Sequence, residues 1–162
     1  MENMMEEVSV EDQGAMIVEF LDGLVESFGL SGSAAVVSTG EDSVDVEVTG
    51  DSLGLLVGPG GHTLSALTEV TKTVLQRQNN GASRARVRLD VAGYRERRRA
   101  ALDSFTREVA ETVKSSGEPR ALEPMHSADR KVVHDTVNDI DGVDTVSDGD
   151  EPRRRVVLIP EG

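Results

Sequence analysis

Two short constellations in this sequence hold residue types that can do chemistry. The first is Gly58-Pro59-Gly60-Gly61 with His62 and Thr63, inside the stretch LLVGPGGHTL. A G-x-x-G turn ahead of a helix gathers backbone N–H groups and the positive end of the helix dipole. Glycine lets an anionic chain come close without a Cβ in the way. The second is Arg130-Lys131-Val132-Val133-His134, Arg and His four apart. On a helix those two side chains share a face. An arginine fork grips phosphate through two N–H groups, and a histidine adds a donor. Both constellations suit holding a polyanion better than breaking a bond.

Other uses of the glycines need residues that are absent. A nucleotide P-loop requires G-x-x-x-x-G-K-[ST], and no Lys precedes Lys72. A dinucleotide fingerprint wants a third glycine where Thr63 stands. A tight interhelical turn with packing glycines is the plainer reading, and the four residues alone leave it open. In the second constellation, the plainer reading is a surface Arg and a satisfied His. His126 and His134 lie eight apart with no acid at ligand spacing, so no metal is expected. With no Cys, thiolate sites and disulfides are excluded. No cofactor and no catalytic constellation are expected, so the chain reads as a non-enzyme.

The charge is unevenly spread. Net charge is −13, yet residues 1–71 hold 14 acids and no Lys or Arg. Residues 72–99 hold nine basic residues against Asp90 and Glu96. Arg84, Arg86, Arg88, Arg95, Arg98 and Arg99 are the additional basic candidates, because clustered charge acts within about 8 Å at physiological salt. Arg99 with Asp103 at i+4 is the plainer reading of one of them. Aromatic residues make up 2 %, which argues against base stacking on aromatic platforms. No signal peptide and no apolar run long enough for a membrane span is read. A cytoplasmic protein without membrane insertion is expected.

These residues need elements to position them. Residues 1–13 carry five acids and no base and read as a disordered tail that competes with a polyanion for the arginines. From Ala15, residues Ile17, Phe20, Leu21, Leu24, Val25 and Phe28 have helical spacing, and Gly29 stops them. AAVVST reads as a strand. Val44, Val46 and Val48 alternate with Asp45 and Glu47 as a second. DSLGLLVG fits a short helix capped by Asp51. After the glycines, Leu64, Leu67, Val74 and Leu75 share a helix face that NNGAS ends. Val87, Leu89 and Val91 alternate with Arg86, Arg88 and Asp90 as a third strand. Tyr94 to Ser116 reads as one long helix with Tyr94, Leu102, Phe105, Val109 and Val113 inward. ALEPM is strand-like. Ser127 caps a helix bearing Val133, Val137 and Ile140. VDTVS and RRRVVLI are strands joined through Asp148-Gly149.

With that order, LGLLVGPGGHTLSALTEVTKTVLQRQ, RVRLDVAGYRERRRAAL, ALEPMHSADRKVVHDTV and EPRRRVVLIP resemble the Jag/KhpB family of bacterial RNA-binding proteins over roughly residues 14–160. The resemblance implies an α+β chain: a type II KH domain at 14–92, a long helix at 93–117, and an R-three-H domain at 118–162. It implies RNA binding in the cytoplasm and a role in cell elongation and division. The implied partners are single-stranded RNA and a small single-KH protein. Single-stranded DNA in place of RNA and a homodimer are left open. Some members carry a further N-terminal Jag domain, where this sequence is expected to offer only its acidic tail. The implied contacts are Gly58, Pro59, Gly60, Gly61, His62, Thr63, Arg130 and His134. Family loops are commonly basic at the two central positions. Pro59-Gly60 is not, and Pro59 lacks an N–H, so a weaker grip is expected. The rival reading is a protein-interaction adaptor on the same scaffold, favoured by the acidic first half.

Overall fold

Alternating valines build the first sheet. In the structure, a computed structural model that describes residues 8–81 and 85–162, strands β1 (Ser31–Thr39), β2 (Ser43–Asp51) and β3 (Arg86–Val91) lie in the order β1-β2-β3. Strand β1 is antiparallel to β2, and β3 is parallel to it. Period-2 alternation sends Val44, Val46, Val48, Val87, Leu89 and Val91 into the core. The polar alternates face the other way. Helices α1 (Val10–Ser27) and α3 (His62–Gln78) cover the apolar face, with Ile17, Leu21, Val25, Leu64, Leu67 and Leu75 buried. The short helix α2 (Gly54–Val57) precedes the glycine turn. The order α-β-β-α-α-β is the one the resemblance implies.

Helix α1 begins at Val10, ahead of the expected start. Ser9 caps it, its Oγ accepting the Asp12 N–H at 3.1 Å. Glu11 and Asp12 occupy the first turn, where carboxylates complement the helix dipole. The acidity read as tail character is thus partly a helix start. Residues 1–7 of that tail, and Arg84, lie outside the described residues. Asp51 caps nothing: it ends β2, and Leu53 holds the cap position of α2 with no side-chain hydrogen bond.

The chain divides into two units at Arg95/Glu96. Helix α4 (Tyr94–Ser116) begins at the end of the first and supplies the second with buried Leu102, Thr106, Ala110 and Val113. Phe105, expected inward, is exposed, because the small Thr106 and Ala110 take the inner stripe. The second unit adds β4 (Arg120–Ala121), α5 (Ser127–Asn138), β5 (Val143–Asp148) and β6 (Arg155–Pro160). Its sheet runs β4-β6-β5, antiparallel throughout. Val133, Val137, Val143, Val156 and Leu158 form its core. His126, not Ser127, holds the α5 cap position, and no side-chain bond closes it. Strands β5 and β6 are joined by a loop over residues 149–154 rather than by a two-residue turn.

Candidate nucleic-acid interface

Helices α2 and α3 are joined by a single 3-10 turn, Pro59–Gly61. Gly58, Gly60 and Gly61 have φ of 70°, 58° and 79°, a left-handed region that costs other residues about 1–2 kcal/mol each. The Gly58 N–H donates to Gly54 O at 2.9 Å, and the Gly61 N–H to Gly58 O at 3.2 Å. The His62 N–H donates to Pro59 O. Against the expectation of bare amides, these three are engaged: the first closes α2 four residues back, and the other two meet carbonyls three residues back, as 3-10 spacing dictates. What faces solvent is the Pro59-Gly60 tip, the exposed His62 and Thr63, and the first turn of α3. A first helical turn keeps amides without intrahelical acceptors.

The three glycines do different work. A Cβ at Gly61 would stand 2.8 Å from Tyr94 Cε1, and one at Gly58 would overlap Thr63 Oγ1. At Gly60 it would meet only the His62 ring, at 3.7 Å. Gly61 is buried, so its glycine serves packing, whereas Gly60 is exposed and open. Tyr94 is set in place by the turn after β3. There the Gly93 N–H donates to Glu47 at 3.0 Å, and Arg95 Nε donates to Leu89 O at 2.9 Å.

Among the described residues, Arg86 and Arg88 of the first unit do not form an open cationic patch. Arg86 and Arg88 stand on the polar sheet face. Arg88 donates twice to Asp45, at 2.6 and 3.0 Å, across the β2–β3 register. Arg86 bonds Asp42 at 2.9 Å. The bond from Arg88, with a second from Ser38, holds the Asp45 carboxyl below its ordinary range. In the second unit Arg98 pairs with Asp129 at 3.0 Å, tying α4 to α5. Arg99 pairs with Glu96, at 3.1 and 2.7 Å, and not with Asp103. Asp103 is taken by Arg107 and by the Thr136 hydroxyl, which together lower its carboxyl.

Arg130 and His134 share the α5 face turned to the β5–β6 hairpin. Arg130 is 8 % exposed. It donates to Met125 O at 2.7 Å and to Glu151 Oε1 at 2.6 Å. Arg130 is not the surface Arg of the plainer reading: the face it shares with His134 is the one that packs. His134 is half-buried, Nδ1 2.7 Å from Thr145 Oγ1 and Nε2 3.0 Å from Ser147 Oγ. Sequence reasoning does not single out Glu151, Thr145 or Ser147. The one available signal is that an arginine on a buried face needs a carboxylate.

The R-three-H domain family matches residues 100–160. The RNA-binding protein KhpB of Clostridium symbiosum is 31% identical over 142 residues, covering 87% of this chain and 63% of that protein. KhpB of Lactiplantibacillus plantarum is 38% identical over 105 residues, 65% of this chain and 32% of its own length. KhpB of Bacillus subtilis is 30% identical over 128 residues, 78% and 61%. The chain thus spans less than two thirds of each of these relatives.

The glycine geometry orders three substitutions. Gly60→Ala should lower the melting temperature least, Gly61→Ala more, and Gly58→Ala at least as much as Gly61→Ala, as read by circular dichroism. A second prediction concerns pH. A carboxylate whose pKa is depressed by folding contributes stability above its unfolded value and loses it as pH falls through the folded one. The melting-temperature difference between the native chain and Asp45→Asn should therefore be present at pH 7. It should shrink as pH drops below about 4, and stay small throughout, because the pair is exposed.

Proposed function

We propose, for a chain that belongs to the Jag/KhpB family and carries its R-three-H domain, that it binds single-stranded RNA through the glycine turn of its first unit. The observation that carries this reading is the exposed Pro59-Gly60 tip, set at the N-terminus of the 17-residue helix α3 with His62 and Thr63 beside it. A phosphate there meets the positive end of the helix dipole and side-chain donors, with no Cβ at Gly60 to hold it off. The names of the relatives, RNA-binding proteins, support the same reading. The second unit adds a covalently linked module. Linking raises the effective concentration of a second contact on the same strand, so two weak grips suffice.

Affinity from the turn alone should be low. Pro59 offers no N–H, and three neighbouring amides are engaged. Specificity for particular bases should be modest for the same reason. A post-transcriptional role in cell elongation and division, a cytoplasmic location and a small single-KH partner are carried by the family resemblance.

One observation favours a second reading, a protein-interaction adaptor. Among the described residues, ten ion pairs each engage a different Lys or Arg, which leaves little free cationic surface on a chain of net charge −13. Salt dependence separates the two readings. Two to four phosphate contacts give a slope of about −1.4 to −2.8 in log K against log salt for a single strand. A labelled single-stranded RNA should bind the full chain at low salt with such a slope. Gly60→Asp should weaken it several-fold while leaving the fold intact, and Pro59→Lys should strengthen it. No binding at low salt would favour the adaptor.

A further inference from the structure

Ion pairing leaves few arginines available. Among the described residues, Arg77, Arg95, Arg97, Arg120, Arg153 and Arg154 make no ion pair with a carboxylate. Two of these six are consecutive, on the loop over residues 149–154 between β5 and β6. Arg153 is exposed and Arg154 half-buried.

That loop is tied down from several sides. The Arg153 N–H donates to Asp150 O at 2.8 Å. Arg154 donates through its side chain to Gly149 O at 3.3 Å. Its carbonyl accepts the Met125 N–H at 3.2 Å. The pair between Asp148 and Arg155, at 2.9 Å, closes the base. Arg130 reaches from α5 to Glu151 in the loop and to Met125 O just ahead of α5. Beside the base, Ser147 holds the His134 ring. Of the loop's own acids, Glu151 is neutralised by Arg130, which leaves Asp150 against Arg153 and Arg154. A fixed loop carrying two arginine forks loses little entropy on binding, and each fork matches a phosphate.

We propose that the β5–β6 loop is the phosphate-gripping element of the second unit, with Arg153 and Arg154 as the ligands and Arg130 as a positioning residue that fixes the loop through Glu151. The proposal rests on the single-stranded RNA reading above and moves the contact from the Arg-x-x-x-His pair to the loop that pair holds.

The test is fluorescence anisotropy of the full chain with a labelled 20-nucleotide single-stranded RNA of mixed sequence, in a salt series. The variants are Arg153→Ala with Arg154→Ala, and, as an equal-charge control, Arg77→Ala with Arg120→Ala. The loop pair should weaken binding about tenfold at low salt and flatten the slope by about 1.4, two contacts at about 0.7 each, with the chain still folded by circular dichroism and only the Arg154–Gly149 bond lost. The control should stay within about twofold. Equal losses in both pairs, or no loss in the loop pair, would overturn the proposal while leaving the RNA reading standing. A native chain that binds no RNA would remove that reading, and this one with it. Arg130→Lys should weaken binding in the native chain and add nothing in the loop double variant, since its effect passes through those arginines. An additive loss would show Arg130 acting apart from the loop and would overturn its positioning role.

Discussion

The reversal between α2 and α3 is the constraint on which the first unit depends. The chain must turn within three residues, and Gly58, Gly60 and Gly61 do it with positive φ. Two of these glycines are claimed by the protein's own side chains, Thr63 and Tyr94. Packing of the turn and access to it are therefore separate matters at neighbouring positions. Gly61 lets Tyr94 close over the turn and so anchors it to the start of α4. At Gly60, among the described residues, only the His62 ring comes near. A packing device and a binding surface are usually offered as alternatives for a glycine cluster, and here one turn has room for both.

Charge sets the second constraint. Phosphate has to find cations that the protein has not already paired. On the polar sheet face, Arg86 and Arg88 lie against acids of the preceding strand region. Along α4, Arg99 and Arg107 are paired within the helix. These exposed pairs each contribute little stability. Their larger effect is to remove the field a polyanion would feel. Under the proposed function, a chain so arranged binds through a few placed groups rather than through a broad basic surface, and with few contacts its affinity falls only modestly with salt.

The sheet cores were legible because period 2 admits only one answer. Val44, Val46, Val48, Val87, Leu89 and Val91 all lie where alternation puts them. The bounds of α4 were equally readable from Tyr94 to Ser116. Local pattern misleads where it meets distant partners. Phe105 looks like core by its chemistry, but the inner stripe of α4 passes through Thr106 and Ala110. Spacing puts Arg130 and His134 on one face, and spacing cannot say whether that face meets solvent or a hairpin. The partner that decides it, Glu151, is 21 residues away. Arg88 likewise finds Asp45 across 43 residues, through a parallel register that no single segment encodes. The turn amides escape the sequence for a local reason: a 3-10 turn consumes the donors that an open loop would leave free.

The most direct measurement is a backbone amide NMR titration of the full chain with single-stranded RNA, mapping shift changes residue by residue. The account predicts that the first changes fall at Gly60, His62 and Thr63 and at the loop over residues 149–154, with β1 and the outer face of α1 unmoved. Changes confined to β1 or α1, with Gly60 and its neighbours silent, would contradict it.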